Sequence, residues 1–386
     1  MSTDIPNFQD CMYFDSASTS YYRPESIGKS VAQAILSFGS HSRGTHKPAQ
    51  LAKEAISDAK EVIRSFFGAD SPEQIAFMSG ATLALNSAIL GTLKPNDHVI
   101  TTVMEHNAVL RPLYRLMDEG LECDFVGLLE DGNLDYSAFE GLVKENTKCV
   151  IITHCSNVTG LVINLDFLAE FCRKHDLFLI LDAAQTAGLF PIDIKLFDRA
   201  IICFTGHKGF MGPQGTGGMV VNNVEISPII RGSTSHSSHV RHMLEYPDSI
   251  EVGTPNAHSI AGLLAGARYI LDKGMDVMLE SSLQMADIFY NGLRGVDGIN
   301  VLSNFALPHG PIVSFNFNNI GPSEVEDFLN HMNICVRAGF HCAPLIHNAL
   351  NTDCYGALRF SFSSFNDKSQ VEHVLRAVTF FAKNFL

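Results

Sequence analysis

The chain has 386 residues, of which 46% are hydrophobic and 18% charged, and this composition predicts two or three folded domains rather than disorder. Its 27 basic and 41 acidic residues leave a net charge of −14, which would repel a phosphate backbone and excludes nucleic acid as an expected partner. The sequence shows neither an export signal nor the ~20 apolar residues of a membrane span, so we expect a cytoplasmic protein without membrane contact.

From about residue 46 to residue 225, helical patterns alternate with short apolar runs. Apolar residues from Ala52 to Phe66 recur with helical spacing, and Gly68 follows them as a helix C-terminal cap. The runs HVITTVM, KCVIITH, LFLILD and IICFT predict buried strands of a mostly parallel sheet covered by helices. Each run leads into polar residues, and the carboxyl ends of parallel strands lie along one edge of a sheet. The sequence therefore predicts one shared pocket there, formed by Glu105, His106, Ser156, Asn157, Asp182, Gln185, Thr205, His207 and Lys208.

Past residue 260 the pattern changes to that of an α+β domain. A long helical stretch precedes the strand PIVSFNF, a helix opened by a capping box of Ser323 and Glu326, the strand GALRFSF and a closing helix. We therefore expect a large α/β domain over residues 16–258. Residues 259–386, together with the N-terminal residues 1–15, are expected to form a smaller domain.

Lys208 follows the strand IICFT in the glycine-rich stretch FTGHKGFMGPQGTGG. A lone loop lysine is usually exposed to solvent, but a desolvated lysine has a lowered pKa and forms imines with carbonyl cofactors. Asp182 ends the run LFLILD, where a buried carboxylate needs a structural ion pair, a helix N-terminus or the protonated nitrogen of a pyridine ring. Together the two residues favour pyridoxal 5'-phosphate, held as a Schiff base on Lys208.

Other polar strand ends can complete a site for the cofactor ring. His106 has a flat ring that can stack on the pyridine, although a single such histidine is more often an interior hydrogen-bonding residue. Gln185 and Asn157 can donate hydrogen bonds to the phenolate oxygen.

A phosphate site is predicted where the segment SGAT, residues 79–82, opens a helix. The backbone N–H groups there, Ala81 among them, and the Thr82 hydroxyl would face an anion, although a plain capped helix start has the same pattern. Thr205 and His207, just before the lysine, can complete this site.

Nine motifs in this order resemble the class V aminotransferase superfamily of fold-type I pyridoxal-phosphate enzymes: YFDSAST, SRGTH, MEHNAVLRPL, HCSNVTG, DAAQTAG, FTGHKGFMGPQGTGG, VGTPN, VRAGFHCAP and LRFSFSSFN. Within it the chain is most similar to the group II cysteine desulfurases and selenocysteine lyases. The resemblance covers approximately residues 13–370.

The resemblance implies a role for each candidate residue. Lys208 corresponds to the Schiff-base lysine, Asp182 to the pyridinium partner, His106 to the stacking catalytic histidine and Gln185 to the donor to the phenolate oxygen. Substrate and phosphate contacts are implied for the remaining positions: Asn157 and Arg359 toward the substrate, with Arg359 clamping its carboxylate, and Ala81, Thr82, Thr205 and His207 toward the phosphate. Thr254 matches a phosphate contact made by a second subunit, which implies a homodimer with shared sites.

Cys342, in RAGFHCAPL, separates the reactions of this superfamily. Arg337 and His341 are expected to be nearby cations that lower the pKa of the thiol. The resemblance implies that this cysteine attacks the sulfur of L-cysteine, leaving a persulfide on Cys342 and L-alanine as product. The other cysteines form no CxxC pair, so no metal site is expected, and Cys149 and Cys203 lie within apolar runs as buried core residues.

The chain departs from the group II pattern at Ser42, Ala81, Leu83, Arg231 and Phe340. These departures leave open whether cysteine, selenocysteine or a related amino acid is preferred, and which sulfur-acceptor protein of iron–sulfur cluster or thiocofactor synthesis is served. The alternatives are another class V reaction, such as transamination, epimerisation or β-elimination, which needs no Cys342, and a non-enzymatic scaffold.

Overall fold

The structure is a computed structural model that describes residues 11–41, 44–232, 241 and 245–385. The α-helices in these residues are α1 (Glu25–Ser37), α2 (Lys47–Phe66), α3 (Ala81–Thr92), α4 (Asn107–Asp118), α5 (Leu165–Lys174), α6 (Ala257–Lys273), α7 (Met275–Leu293), α8 (Pro322–Asn330), α9 (Pro344–Ala349) and α10 (Lys368–Phe385). Within the described part of the chain, no helix is long and apolar enough to cross a membrane.

The largest sheet has seven strands and lies in the first two thirds of the chain. Its strands are β2 (Ile75–Met78), β3 (His98–Thr102), β4 (Glu122–Val126), β5 (Thr147–Thr153), β6 (Phe178–Asp182), β7 (Ala200–Thr205) and β8 (Gly217–Asn222), in the order β2-β8-β7-β6-β5-β3-β4. All neighbours are parallel except β8, which is antiparallel to both β2 and β7. The predicted α/β class with a mostly parallel sheet is confirmed.

Side chains that alternate along the strands enter two cores, one on each face of this sheet. Ile152 and Ile202 pack in the core shared with α2, α5 and α6. Ile151 and Ile201, their neighbours in sequence, pack on the opposite face against α3 and α4. Burial on both faces explains why these strands are continuous apolar runs in the sequence.

A third core lies in the C-terminal part. Strands β9 (Ile299–Val301), β10 (Ile312–Phe317), β12 (Arg337–Gly339) and β13 (Ala357–Ser361) form an antiparallel sheet in the order β12-β13-β10-β9. A phenylalanine-rich core joins this sheet to α7, α8 and α10. Strand β1 (Met12–Tyr13) pairs in parallel with β11 (Ile334–Cys335), so the described N-terminal residues contact the C-terminal part.

The expected domain boundary after residue 258 falls inside α6. Ile260, Leu263 and Ile270 of this helix belong to the core of the seven-stranded sheet, and α6 packs on α1 and α2. This packing supports a proposed boundary near Gly274, between α6 and α7.

The capping box expected at Ser323 and Glu326 is wrong, because α8 begins one residue before Ser323. Pro322 occupies the first helical position, where its missing N–H costs nothing. The backbone N–H of Gly321 donates to the Glu324 carboxylate at 3.3 Å, so the reciprocal contact involves residues two positions earlier.

Candidate active site

A cavity of about 300 Å³ lies at the carboxyl ends of the strands of the large sheet. Its lining includes nine of the residues predicted from the sequence: Ala81, Thr82, His106, Asn157, Asp182, Gln185, Thr205, His207 and Lys208. The structure thus brings these nine residues together, whereas Glu105 and Ser156, which we also expected at the pocket, are not among its lining residues. Thr254, Arg359 and Cys342 do not line this cavity in the described chain.

Lys208 is positioned by the tight loop after β7. Its carbonyl accepts hydrogen bonds from the Ser20 hydroxyl at 2.7 Å and from the Met211 N–H at 2.8 Å. A side chain at Gly209 would bring its Cβ to 2.4 Å from the carbonyl oxygen of Ala187, so the loop requires glycine here. Burial lowers the pKa of the Lys208 amine to about 8, although Asp182 opposes this shift. The Lys208 amine can therefore lose and regain its proton near neutral pH.

Asp182 ends β6 and is 4% exposed. One carboxylate oxygen accepts a hydrogen bond from the N–H of Ala184 at 2.9 Å, and no ion pair to Asp182 forms among the described residues. Burial raises the pKa of this carboxyl group. A buried carboxylate on a cavity wall, without a cation of its own, is suited to a cationic group of a ligand.

His106 is the N-cap of α4 and forms another wall. Its Nδ1 accepts a hydrogen bond from the N–H of Ala108 at 3.0 Å. Burial, reinforced by the charge of Lys208, lowers its pKa to about 4, so the ring is neutral at physiological pH. Because Nδ1 is an acceptor, the proton of the neutral ring lies on Nε2.

The N-terminus of α3 forms the predicted anion site. Gly80 precedes the helix with φ of +149°, a conformation that favours glycine, and the helix begins at Ala81. The first turn of α3 and the Thr82 hydroxyl lie at the cavity, next to Thr205 and His207. The first N–H groups of a helix have no carbonyl partner within the helix and can donate to an anion. Burial lowers the pKa of His207 to about 4.

Two amide side chains connect the cavity to other segments. Gln185 donates from Nε2 to the carbonyl of Ala17 at 3.1 Å, which holds the N-terminal segment over the cavity. Asn157 donates from Nδ2 to the carbonyl of His341 at 2.6 Å. The cavity wall is therefore tied directly to the segment that carries Cys342.

Cys342 is exposed in the loop between β12 and α9. Its carbonyl accepts a hydrogen bond from the N–H of Asn107 at 2.6 Å, next to His106. His341 and Cys342 have φ of +47° and +58°, a conformation that non-glycine residues adopt at a cost. These contacts hold the loop of Cys342 against His106 and Asn157 of the cavity wall, within electrostatic range of Lys208.

The expectation that His341 is a cation beside the thiol is wrong. The ring is 8% exposed, and burial together with Arg359 lowers its pKa to about 2. The neutral ring donates from Nε2 to the carbonyl of Ala357 at 2.9 Å, so it supports the loop by a hydrogen bond rather than by charge. Arg337 pairs with Asp15, whose carboxylate lies 3.3 Å from its Nε.

Arg359 lies behind the cavity wall on β13 and is 2% exposed. Its Nη2 donates to Asp15 at 2.8 Å and to the Ser18 hydroxyl at 2.7 Å, and its Nη1 donates to the carbonyl of Asn157 at 3.0 Å. It also lowers the pKa of both His106 and Lys208. Arg359 is thus next to the cavity, but its guanidinium is occupied by residues of the chain.

Sequence reasoning missed Asp15 and Ser18, which come from the motif YFDSAST. It also assigned no role to Glu105, although this residue stood among the polar strand ends. Glu105 is fully buried, accepts hydrogen bonds from the Thr102 hydroxyl at 2.6 Å and the Thr153 N–H at 3.1 Å, and has a pKa that burial raises to about 8. A carboxylate directly after an apolar run was the available signal for Glu105, and the position within the motif YFDSAST was the available signal for Asp15.

The departures from the group II pattern have different locations. Leu83 lines the cavity, Arg231 is exposed, and Ser42 lies outside the described residues. Phe340 is 43% exposed and contacts the His347 ring edge-on, with ring centroids 5.4 Å apart. Thr254 is exposed after Gly253.

Comparison with known families identifies the class of this protein. The model of the class V aminotransferase family matches residues 12–374, so the chain belongs to that family, as its motifs predicted. Its relatives include a probable cysteine desulfurase of Pyrococcus abyssi, 31% identical over 96% of this chain and 94% of that protein. A cysteine desulfurase of Haloferax volcanii is 28% identical over 95% of this chain and 88% of its own length.

Solved structures give the same result. The apo structure of a cysteine desulfurase from Thermococcus onnurineus is similar with a TM-score of 0.90 and 29% identity, covering 97% of this chain and 96% of that chain. A cysteine desulfurase from Escherichia coli is similar with a TM-score of 0.85 and 25% identity, covering 97% and 95%. These similarities confirm the predicted fold type.

Proposed function

We propose that this chain is a pyridoxal-phosphate-dependent cysteine desulfurase that converts L-cysteine to L-alanine and takes up the sulfur as a persulfide on Cys342. Membership of the class V aminotransferase family and similarity to several cysteine desulfurases support the proposal. The alternatives within the family share Lys208 and Asp182, so the choice between them depends on Cys342.

The residues of the cavity fit pyridoxal 5'-phosphate. Asp182 offers a buried carboxylate without a cation of its own to the pyridine nitrogen, and neutral His106 offers a ring face. The first turn of α3, with Thr82, offers hydrogen-bond donors to the phosphate at the other end of the cavity. Lys208 lies between these groups as the amine that would hold the cofactor.

When bound, the cofactor supplies an electron sink that stabilises negative charge at the substrate Cα. Lys208, with its lowered pKa, would accept the Cα proton at Nζ and return a proton later. Arg359 would orient the substrate carboxylate, aided by Asn157. The Cys342 thiolate would attack the substrate sulfur; the sulfur–carbon bond breaks and the new sulfur–sulfur bond is the persulfide.

The observation that carries this proposal is that the loop with the exposed Cys342 is hydrogen-bonded through its backbone to residues at the cavity wall. Two backbone carbonyls of the loop, those of His341 and Cys342, accept hydrogen bonds of 2.6 Å each from Asn157 and Asn107. A cysteine with only a packing role would be buried, as Cys149 and Cys203 are. An aminotransferase or epimerase has no use for a thiol held there.

The test uses two exposed cysteines on either side of α9, Cys342 before the helix and Cys354 after it. Holoenzyme is incubated with L-cysteine, and persulfide is located by alkylation and peptide mass spectrometry while alanine is measured. Cys342→Ala should keep bound cofactor and lose alanine and persulfide formation, whereas the matched control Cys354→Ala should retain both. Undiminished alanine production by Cys342→Ala would remove the nucleophile role and favour another class V reaction.

We further propose a homodimer in which Thr254, exposed in the single chain, reaches the phosphate site of the second subunit. Selenocysteine is proposed as a second substrate, because its selenium would present the same target to Cys342. The free cysteines suit a reducing cytoplasmic compartment, from which the persulfide would pass to a sulfur-acceptor protein.

A further inference from the structure

Two arginines stand directly opposite each other on neighbouring strands. In the antiparallel pairing of β12 with β13, Arg337 is aligned with Arg359. Like charges in directly opposed positions repel each other, and the repulsion is strong here because Arg359 is buried. Such a pair is stable only where an anion lies between or beside the two guanidinium groups.

Asp15 supplies one such anion. Its Oδ1 accepts from Arg359 at 2.8 Å, and its Oδ2 lies 3.3 Å from Nε of Arg337. The three side chains carry a net charge of +1, from two cations and one anion. The buried Nε of Arg359 has no hydrogen-bond partner among the described residues. One more carboxylate would balance the charge and satisfy this donor.

The shape of the guanidinium limits how that carboxylate can bind. A guanidinium offers two pairs of adjacent donors to a bidentate carboxylate, the Nε–Nη2 edge and the Nη1–Nη2 edge, and both include Nη2. In Arg359 both Nη2 hydrogens are in use, one by Asp15 and one by Ser18. A substrate carboxylate can therefore bind in the bidentate mode only if one of these two residues leaves Nη2.

We propose that Asp15 is a specificity residue that occupies Arg359 in place of the substrate carboxylate and moves onto Arg337 alone when an amino acid enters. The inference rests on the proposed function for the identity of the ligand, an α-amino acid with one free carboxylate. Asp15 is the residue that leaves because Arg337 can receive its charge, whereas the Ser18 hydroxyl, which itself donates to Asp15 Oδ1 at 2.7 Å, carries no charge that Arg337 could take up.

This exchange connects substrate recognition to the nucleophile. Arg337 begins β12, and the chain continues from Gly339 directly into the loop of Cys342. When a substrate carboxylate is bound, Asp15 pairs more strongly with Arg337. This stronger contact acts on β12, the strand that leads to Cys342. Asp15 itself lies on the N-terminal segment that Gln185 holds over the cavity.

The test compares binding of L-alanine with binding of ethylamine, which lacks only the carboxylate, followed by the absorbance change of the bound cofactor. The Cys342→Ala holoenzyme is the background, so that no sulfur chemistry intervenes. Asp15→Asn should bind L-alanine about tenfold more tightly, the size of one charge-assisted hydrogen bond, because the competing charge on Nη2 is gone. Ethylamine binding should not change. Unchanged or weaker binding of L-alanine by Asp15→Asn would show that Asp15 only orients Arg359, and would overturn the proposal.

A second variant guards against a folding effect of the buried substitution. Arg337→Gln, at a half-exposed side chain, should weaken L-alanine binding because the displaced Asp15 carboxylate then has no Arg337 cation with which to pair. Adding Asp15→Asn to Arg337→Gln should remove that loss; a double variant as weak as Arg337→Gln alone would also overturn the proposal. Normal L-alanine binding together with no persulfide formation from L-cysteine in the unmodified holoenzyme, with Cys342 intact, would defeat the proposed function and leave this inference standing.

Discussion

The two sides of the active site are built in different ways. The sheet-end wall, formed by Ala81, His106, Asp182, Thr205 and Lys208, comes from strand ends and helix starts of a single sheet. The arginine–thiol face, formed by Asp15, Arg337, Arg359 and Cys342, joins the N-terminal segment to the C-terminal sheet. The first depends on the topology of one domain, and the second on contacts between distant parts of the chain. We therefore expect substitutions on the two sides to impair different properties of the protein.

The largest effect is expected on the sheet-end wall, from Lys208→Ala. The variant should lose the Schiff-base absorbance of the cofactor, and its turnover of L-cysteine should fall by about 10²- to 10⁴-fold, because the proton-transfer group is gone. Borohydride reduction followed by peptide mapping checks the site of attachment. Lys195→Ala, at a half-exposed ion pair with Asp70, is the matched control. An unchanged borohydride-reducible chromophore in Lys208→Ala would refute the assignment.

A smaller effect on the same wall is expected from Asp182→Asn, which keeps the size of the side chain and removes its charge. Cofactor affinity should fall about 10- to 100-fold, the size of a charge-assisted hydrogen bond in a buried site. Asp182 also raises the pKa of the Lys208 amine, which is about 8 in the folded protein. The pH midpoint of cofactor attachment to the apoprotein should therefore move below that value in the variant, as measured by stopped-flow absorbance. A midpoint that moves upward would contradict the proposed interaction.

The difference between the two sides also explains what could be predicted from the sequence. Asp182 and Lys208 follow apolar runs whose length and composition identify strands, and parallel strands bring their carboxyl ends together. Local pattern was therefore enough to place the sheet-end wall, and the resemblance then assigned its roles.

The arginine–thiol face could not be predicted in the same way. Asp15 and Arg359 are 344 residues apart, and no local periodicity connects them. His341 was expected to be charged because it is next to Cys342 in sequence, but the fold buries its ring against Ala357. Proximity in sequence does not reveal burial, and burial determines whether a histidine is charged.

The smallest effect concerns the charge of His341, which can be measured through the pH dependence of the free energy of unfolding. This measurement tests whether burial, rather than proximity to Cys342 in sequence, determines the charge of the ring. Its pKa in the folded protein is about 2, below the ordinary value of 6.5, so the unfolded chain takes up the proton first. Stability from the neutral ring is therefore fully present above pH 6.5 and is lost as the pH falls below it. The loss is about 1.4 kcal/mol per pH unit for one such group.

The variant His341→Asn removes the titrating ring together with its Nε2 hydrogen bond to the Ala357 carbonyl, so only the difference between two pH values is compared. Urea unfolding at pH 7 and pH 5.5 should show a smaller loss of stability on acidification in this variant than in the unmodified protein, by about 1 kcal/mol. Exposed His331, replaced by Asn, is the control and should leave the difference between the two pH values unchanged. Equal losses in His341→Asn and in the unmodified protein would mean that His341 has the same pKa in the folded and the unfolded chain, and would contradict the conclusion that burial holds this ring neutral. A larger loss in the variant would mean that the folded protein raises the pKa of His341, as expected for a cation beside Cys342.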